Sequence, residues 1–101
     1  MEKRLMVSEG HLLAVFNSAH RVMKAESCLK TKGLSILLIP APRKLQTDCG
    51  LAIRFCEEDR TGIMAELEAD GLLPEFVARL ESGEFVTIWT QAAGVQKDTF
   101  K

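Results

Sequence analysis

Residues 12–16 read Leu-Leu-Ala-Val-Phe, an unbroken apolar run closed by Asn17 and Ser18. Such a run is too short for a helix. Followed by a capping serine, it describes a buried strand handing over to a helix. From 18 to 32 the apolar positions Ala19, Val22, Met23, Ala25, Cys28 and Leu29 recur mostly at spacings of three and four, while Arg21, Lys24, Lys30 and Lys32 mostly take the other face. Gly33 supplies the stop. A second strand is expected over 34–39, ended by Pro40-Ala41-Pro42, where two prolines in three residues forbid further sheet pairing.

A polar loop over 43–49 leads to Gly50 and a third strand at 51–55, with Leu51, Ile53 and Phe55 on one face. Asp59 is placed as the N-cap of a second helix that turns Ile63, Met64 and Leu67 inward and stops at Gly71. Residues 76–80 read two ways. Leu73, Phe76, Val77 and Leu80 fit a helical period with Pro74 at its first turn, yet the segment also suits a strand. Residues 84–90, with Phe85, Val86, Ile88 and Trp89, make the better strand and can pair back across Ser82-Gly83. The order βαββαβ, with either segment as fourth strand and room for an extra C-terminal strand, predicts an α/β (α+β) two-layer sandwich of ferredoxin-like topology. One domain over 12–90 is expected, with 1–11 as a lead-in and 91–101 as a polar tail. In this topology the first two strands run parallel with the third between them. The 40–50 loop then lies beside the start of the first helix.

Composition narrows the function. With 13 Lys+Arg against 14 Asp+Glu, the net charge of −1 argues against a nucleic-acid binder. The neutrality is a cancellation, since residues 1–54 hold nine bases and four acids, and 55–101 hold four bases and ten acids. No apolar run approaches the ~20 residues of a membrane span. The opening Met1-Glu2-Lys3-Arg4 is not followed by the apolar stretch of a secretory signal, so a cytoplasmic location is expected. Three irregularly spaced cysteines make no disulfide framework, and the two histidines make no metal-ligand pair, so neither metal nor cofactor is expected.

The three cysteines differ in setting. Cys28 borders the apolar face of a helix and reads as a small core residue. Cys56 precedes Glu57-Glu58-Asp59, an acidic run that discourages a thiolate. Cys49 lies in a loop beside Gly50, downstream of Arg43-Lys44, and the topology brings a helix N-terminus towards it. A Cys49–Cys56 disulfide is excluded by the ~20 Å of strand between them. His20, in the first helical turn, is a solvated residue or a base beside Cys49. Ser18 is better explained as a helix cap than as a nucleophile.

The stretch Phe16-Asn17-Ser18-Ala19-His20, then Lys24-Ala25-Glu26 and Leu29, resembles the first strand and helix of the selenium/sulfur carrier protein-like family, a small bacterial family. The stronger likeness is Leu38-Ile39-Pro40-Ala41-Pro42-Arg43 followed by Cys49-Gly50-Leu51-Ala52-Ile53-Arg54-Phe55, which is similar to that family's P-x-P-R and C-G-L-A-x-R-F segments. It covers about 12–82 of the chain and leaves 84–101 beyond it. The resemblance implies a carrier that holds sulfur or selenium on Cys49 as a persulfide or perselenide. Gly50, Pro40, Pro42, Arg43 and Arg54 are the matching motif positions, and Arg43 or Arg54 is expected to stabilise the anion. Such a protein is a shuttle rather than a full enzyme. Its partners are a desulfurase-like donor protein and an acceptor protein, met through the basic first half. Two other readings stand beside it. One is a non-catalytic binding or regulatory module using the 40–50 loop; the other is a structural adaptor anchored by Trp89.

Overall fold

The computed structural model describes residues 6–45 and 47–91. Its elements follow the expected order: β1 (Leu12–Val15), α1 (Ala19–Thr31), β2 (Leu37–Pro40), β3 (Leu51–Phe55), a 3-10 turn (Glu57–Asp59), α2 (Arg60–Ala69), β4 (Phe76–Glu81) and β5 (Glu84–Thr90). The strands form one sheet in the order β2-β3-β1-β4-β5, and every neighbouring pair is antiparallel. β1 and β2 both oppose β3, so they run parallel to each other, as the ferredoxin-like topology requires.

Both helices lie on one face. There Leu12, Ala14 and Phe16 meet Val22, Ala25 and Leu29 of α1, and Ile63 and Leu67 of α2. The other face is not left to water. Leu13, Val15, Ile39, Ala52 and Leu80 form a second apolar cluster with Val7, and Ala41, Leu45, Phe76 and Phe85 pack on it. Every side chain of β1 is therefore buried, whichever face it points to. The chain before β1 serves as a strap over this face. Val7 is only 5 % exposed, and the Arg54 guanidinium on β3 donates to Met6 O at 2.8 Å.

The helix ends are closed by local hydrogen bonds. Ser18 Oγ accepts from Arg21 N at 3.1 Å at the start of α1. At its end, Gly33 N donates to Lys30 O and Leu34 N to Leu29 O, the paired bonds that terminate a helix and turn the chain away. Asp59 takes the N-cap position of α2 as expected, but a 3-10 turn precedes the helix and the Asp59 side chain makes no cap bond. Across that turn Glu57 joins Arg79 of β4 at 2.7 Å and Arg60 at 3.4 Å. Hydrogen bonding to Arg79, and then to Arg60, holds the Glu57 carboxyl below the usual carboxylate range.

The ambiguous segment is resolved as strand. Residues 76–79 pair with β1 on one side and 76–81 with β5 on the other, and Pro74 is buried ahead of the strand rather than opening a helix. The β4–β5 turn places Ser82 at φ 50° and Gly83 at φ 80°, the two left-handed positions of a tight hairpin. Glu9 holds that turn, its carboxylate accepting from Ser82 N at 2.8 Å and Gly83 N at 3.0 Å. Further along, the register passes from Val77↔Trp89 to Ala78↔Thr87, so Ile88 is an extra residue on β5. This bulge lets consecutive Ile88 and Trp89 both pack on the helix-side core.

Candidate functional site

The loop from 41 to 50 joins two neighbouring antiparallel strands, and its neck is closed by Ala41 N donating to Gly50 O at 2.9 Å. A turn follows the prolines, with Leu45 N donating to Pro42 O at 2.9 Å. At the far side Thr47 Oγ1 accepts from Gly50 N at 2.9 Å. Gly50 has φ +74°, and a Cβ placed there meets nothing within 4 Å. It is the backbone conformation, not crowding, that favours glycine between the loop and β3.

This geometry delivers Cys49 to the start of α1. Its side chain is half-buried against the helix-side core, and its single thiol proton is shared between Phe16 O at 3.4 Å and Leu51 O at 3.3 Å. Phe16 is the last residue of the apolar run before the helix cap, so the loop end and the helix start meet as the topology predicts. The groups touching the sulfur are different from those expected. They are carbonyl oxygens, whereas the amides of Arg21 and Val22 are taken by Ser18 Oγ and Ser18 O within the helix.

The other motif positions are spread around the loop rather than gathered on the sulfur. Pro40 does not stop the pairing as expected: it is the last residue of the edge strand β2 and pairs with Leu51 of β3. An edge position leaves its missing N–H without consequence. Pro42 is half-buried and Arg43 exposed; together they border the face of the sheet opposite the helices. Arg54 lies three residues beyond Leu51, about 10 Å along β3, and its guanidinium is engaged with Met6 O. Neither arginine makes a hydrogen bond with Cys49 among the described residues. His20 is exposed in the first turn of α1, and Ser18 is occupied as its cap.

Cys28 and Cys56 are half-buried free thiols in other places. Cys28 sits nine residues into α1 from Ala19, roughly 14 Å along its axis. Cys56 sits past the far end of β3. Among the described residues no group of three or more His, Cys, Asp or Glu is arranged to hold a metal, and no helix is long and apolar enough to cross a membrane. Thr47 had no distinguishing mark in the sequence, and neither did the carbonyls of Phe16 and Leu51. Backbone acceptors carry no residue signature, so only the fold reveals them.

Comparison with known proteins adds to this geometry. An uncharacterized protein of Methanocaldococcus jannaschii, MJ0011, is 36% identical over 73 residues, which is 72% of this chain and 36% of that protein. The chain thus spans about a third of the length of this relative. No solved structure matches. The family model described as putative Se/S carrier protein-like matches residues 11–79, a span that begins just before β1, includes the whole 41–50 loop with Cys49, and ends within β4. On that match across most of its length, the chain belongs to the putative Se/S carrier protein-like family.

Proposed function

We propose that the chain carries sulfur or selenium on Cys49 as a persulfide or perselenide and passes it between a donor and an acceptor protein. The observation that carries this reading is the isolation of Cys49. It sits at a loop end against the start of α1, with Cys28 along the helix and Cys56 beyond the far end of β3. A loaded cysteine beside a second thiol discharges as a disulfide, so separation from other thiols is what a carrier needs.

The transfer balances without an external oxidant. The Cys49 sulfur attacks the outer sulfur of a donor persulfide, a new S–S bond forms, and the donor's own S–S bond breaks. The donor sulfur leaves with the electron pair and takes up the proton that Cys49 released. In delivery, an acceptor nucleophile attacks the outer sulfur and Cys49 departs as thiolate. Selenium follows the same path with an Se–S bond in place of the S–S bond. Little polar bonding holds the sulfur in place, because its single S–H is a weak donor shared between two carbonyl oxygens at 3.3 and 3.4 Å.

Intact-mass measurement tests the proposal. The reduced chain, incubated with a cysteine desulfurase and free cysteine, is expected to gain one sulfur atom that reductant removes. The Cys49→Ser variant is expected to gain none. Absence of the adduct on the parent chain, or an undiminished adduct on Cys49→Ser, refutes the assignment.

A further inference from the structure

The face of the sheet opposite the helices holds a cavity of about 620 Å³, within the range of small-ligand sites. Three separate segments form its described walls: the strap at Val7 and Glu9, the turn at Pro42–Lys44 with Arg43 between, and the β4–β5 hairpin at Leu80, Gly83 and Phe85. Val7 and Leu80 are each 5 % exposed, so the floor is firm, packed apolar core rather than a loose surface. The segments are also tied together. Glu9 accepts from the amides of the hairpin turn, and Lys44 Nζ donates to Gly83 O at 3.0 Å.

Charge at the mouth is unevenly committed. The Glu9 carboxylate is occupied by two backbone amides, and the Lys44 ammonium by a neutral carbonyl. Arg43 is exposed and makes no ion pair or hydrogen bond among the described residues. An apolar floor beneath an uncommitted guanidinium selects a particular chemistry. The floor takes a hydrocarbon body, and the planar fork of the guanidinium pairs with a carboxylate through two parallel hydrogen bonds. We propose that this groove binds a small amphipathic anion, an apolar-bodied monocarboxylate whose head group pairs with Arg43 and whose tail lies on Val7, Leu80 and Phe85. A cation is repelled by Arg43 and Lys44, and a neutral apolar molecule leaves the guanidinium unused.

The site is independent of the carrier chemistry, because Cys49 packs on the helix-side core and the groove lies on the opposite face. The probe is decanoate, below its micelle concentration, titrated into the full chain by calorimetry and by amide chemical-shift mapping. Binding of one decanoate per chain is expected, with the largest shifts at Val7, Leu80 and Phe85. Decanol, with the same tail and no charge, is expected to bind about tenfold more weakly. Arg43→Gln, at an exposed position, is expected to weaken decanoate by about tenfold and leave decanol unchanged. Cys49→Ser is expected to bind decanoate like the parent chain, which separates this site from the sulfur-carrying one. No binding, equal binding of decanol and decanoate, indifference to Arg43→Gln, or shifts centred on α2 and Trp89 each overturn the proposal.

Discussion

Replacing Arg54 with methionine keeps much of the side chain's apolar stem and removes the guanidinium that donates to Met6 O at 2.8 Å. The bond is solvent-exposed, so its loss alone costs about 1 kcal/mol. A larger loss follows if the strap lifts, because Val7, now 5 % exposed, belongs to the buried cluster of Leu13, Val15, Ile39, Ala52 and Leu80. Exposing one valine adds roughly 1.5–3 kcal/mol. For a chain of this size each kcal/mol lowers the melting temperature by about 4–8 °C. Arg54→Met is therefore expected to melt at least ~4 °C lower, in a thermal scan followed by circular dichroism. The same variant is expected to alkylate at Cys49 at the parental rate, within about twofold, because the guanidinium is held on the strap rather than at the sulfur. An unchanged melting temperature with Cys49 alkylation slowed about tenfold refutes this reasoning and makes Arg54 a stabiliser of the sulfur anion.

Three further outcomes are expected. Ser18→Ala removes the oxygen that caps α1 and costs about 1 kcal/mol in urea unfolding, whereas Ser18→Gly costs only a few tenths. Gly50→Ala costs about 1–2 kcal/mol through its positive φ alone, and Gly50→Asn costs less; an asparagine worse than alanine points to crowding instead. Glu57 has a lowered pKa in the folded chain, so its contribution is complete above the unfolded value of about 4.3 and fades as pH falls through the folded one. The stability gap between the parent chain and Glu57→Gln should thus stay constant from neutral pH down to about 4.3 and narrow below it, and a gap that widens on acidification contradicts the Arg79 and Arg60 pairing.

The elements carried by strong local patterns were legible in the sequence. The apolar run ending at Phe16, the amphipathic period of α1 and the alternation over 51–55 each appear as the expected element. Where the pattern was degenerate, tertiary pairing decided. Residues 76–81 satisfy a helical spacing, but as a strand they gain hydrogen-bonded partners on both sides. The second strand begins at Leu37 rather than Leu34 because its partner gives out: Leu37 pairs with Arg54, and β3 ends one residue later at Phe55. Leu34 and Ile36 still pack on the helix-side core, which explains why they look like strand.

The approach of the 40–50 loop to α1 was readable because connectivity alone places it there. The atoms around the Cys49 sulfur were not, since they are main-chain carbonyls. The second apolar cluster was equally hidden. Its lid comes from Val7 in the lead-in and from Ala41 and Leu45 around the polar loop, segments without periodicity.

The fifth strand has a consequence for how the sheet meets other chains. The family match stops inside β4, and a four-stranded unit ending there leaves that strand's outer flank unpaired. Here β5 covers it, and β5 is itself a poor template for lateral growth. It opens with Glu84 opposite Glu81 and is kinked by the extra Ile88. The opposite flank, β2, is four residues long and ends in Pro40. Both rims of the sheet thus discourage a neighbour from adding a strand, and contact with a second polypeptide is directed to the loop ends and the faces.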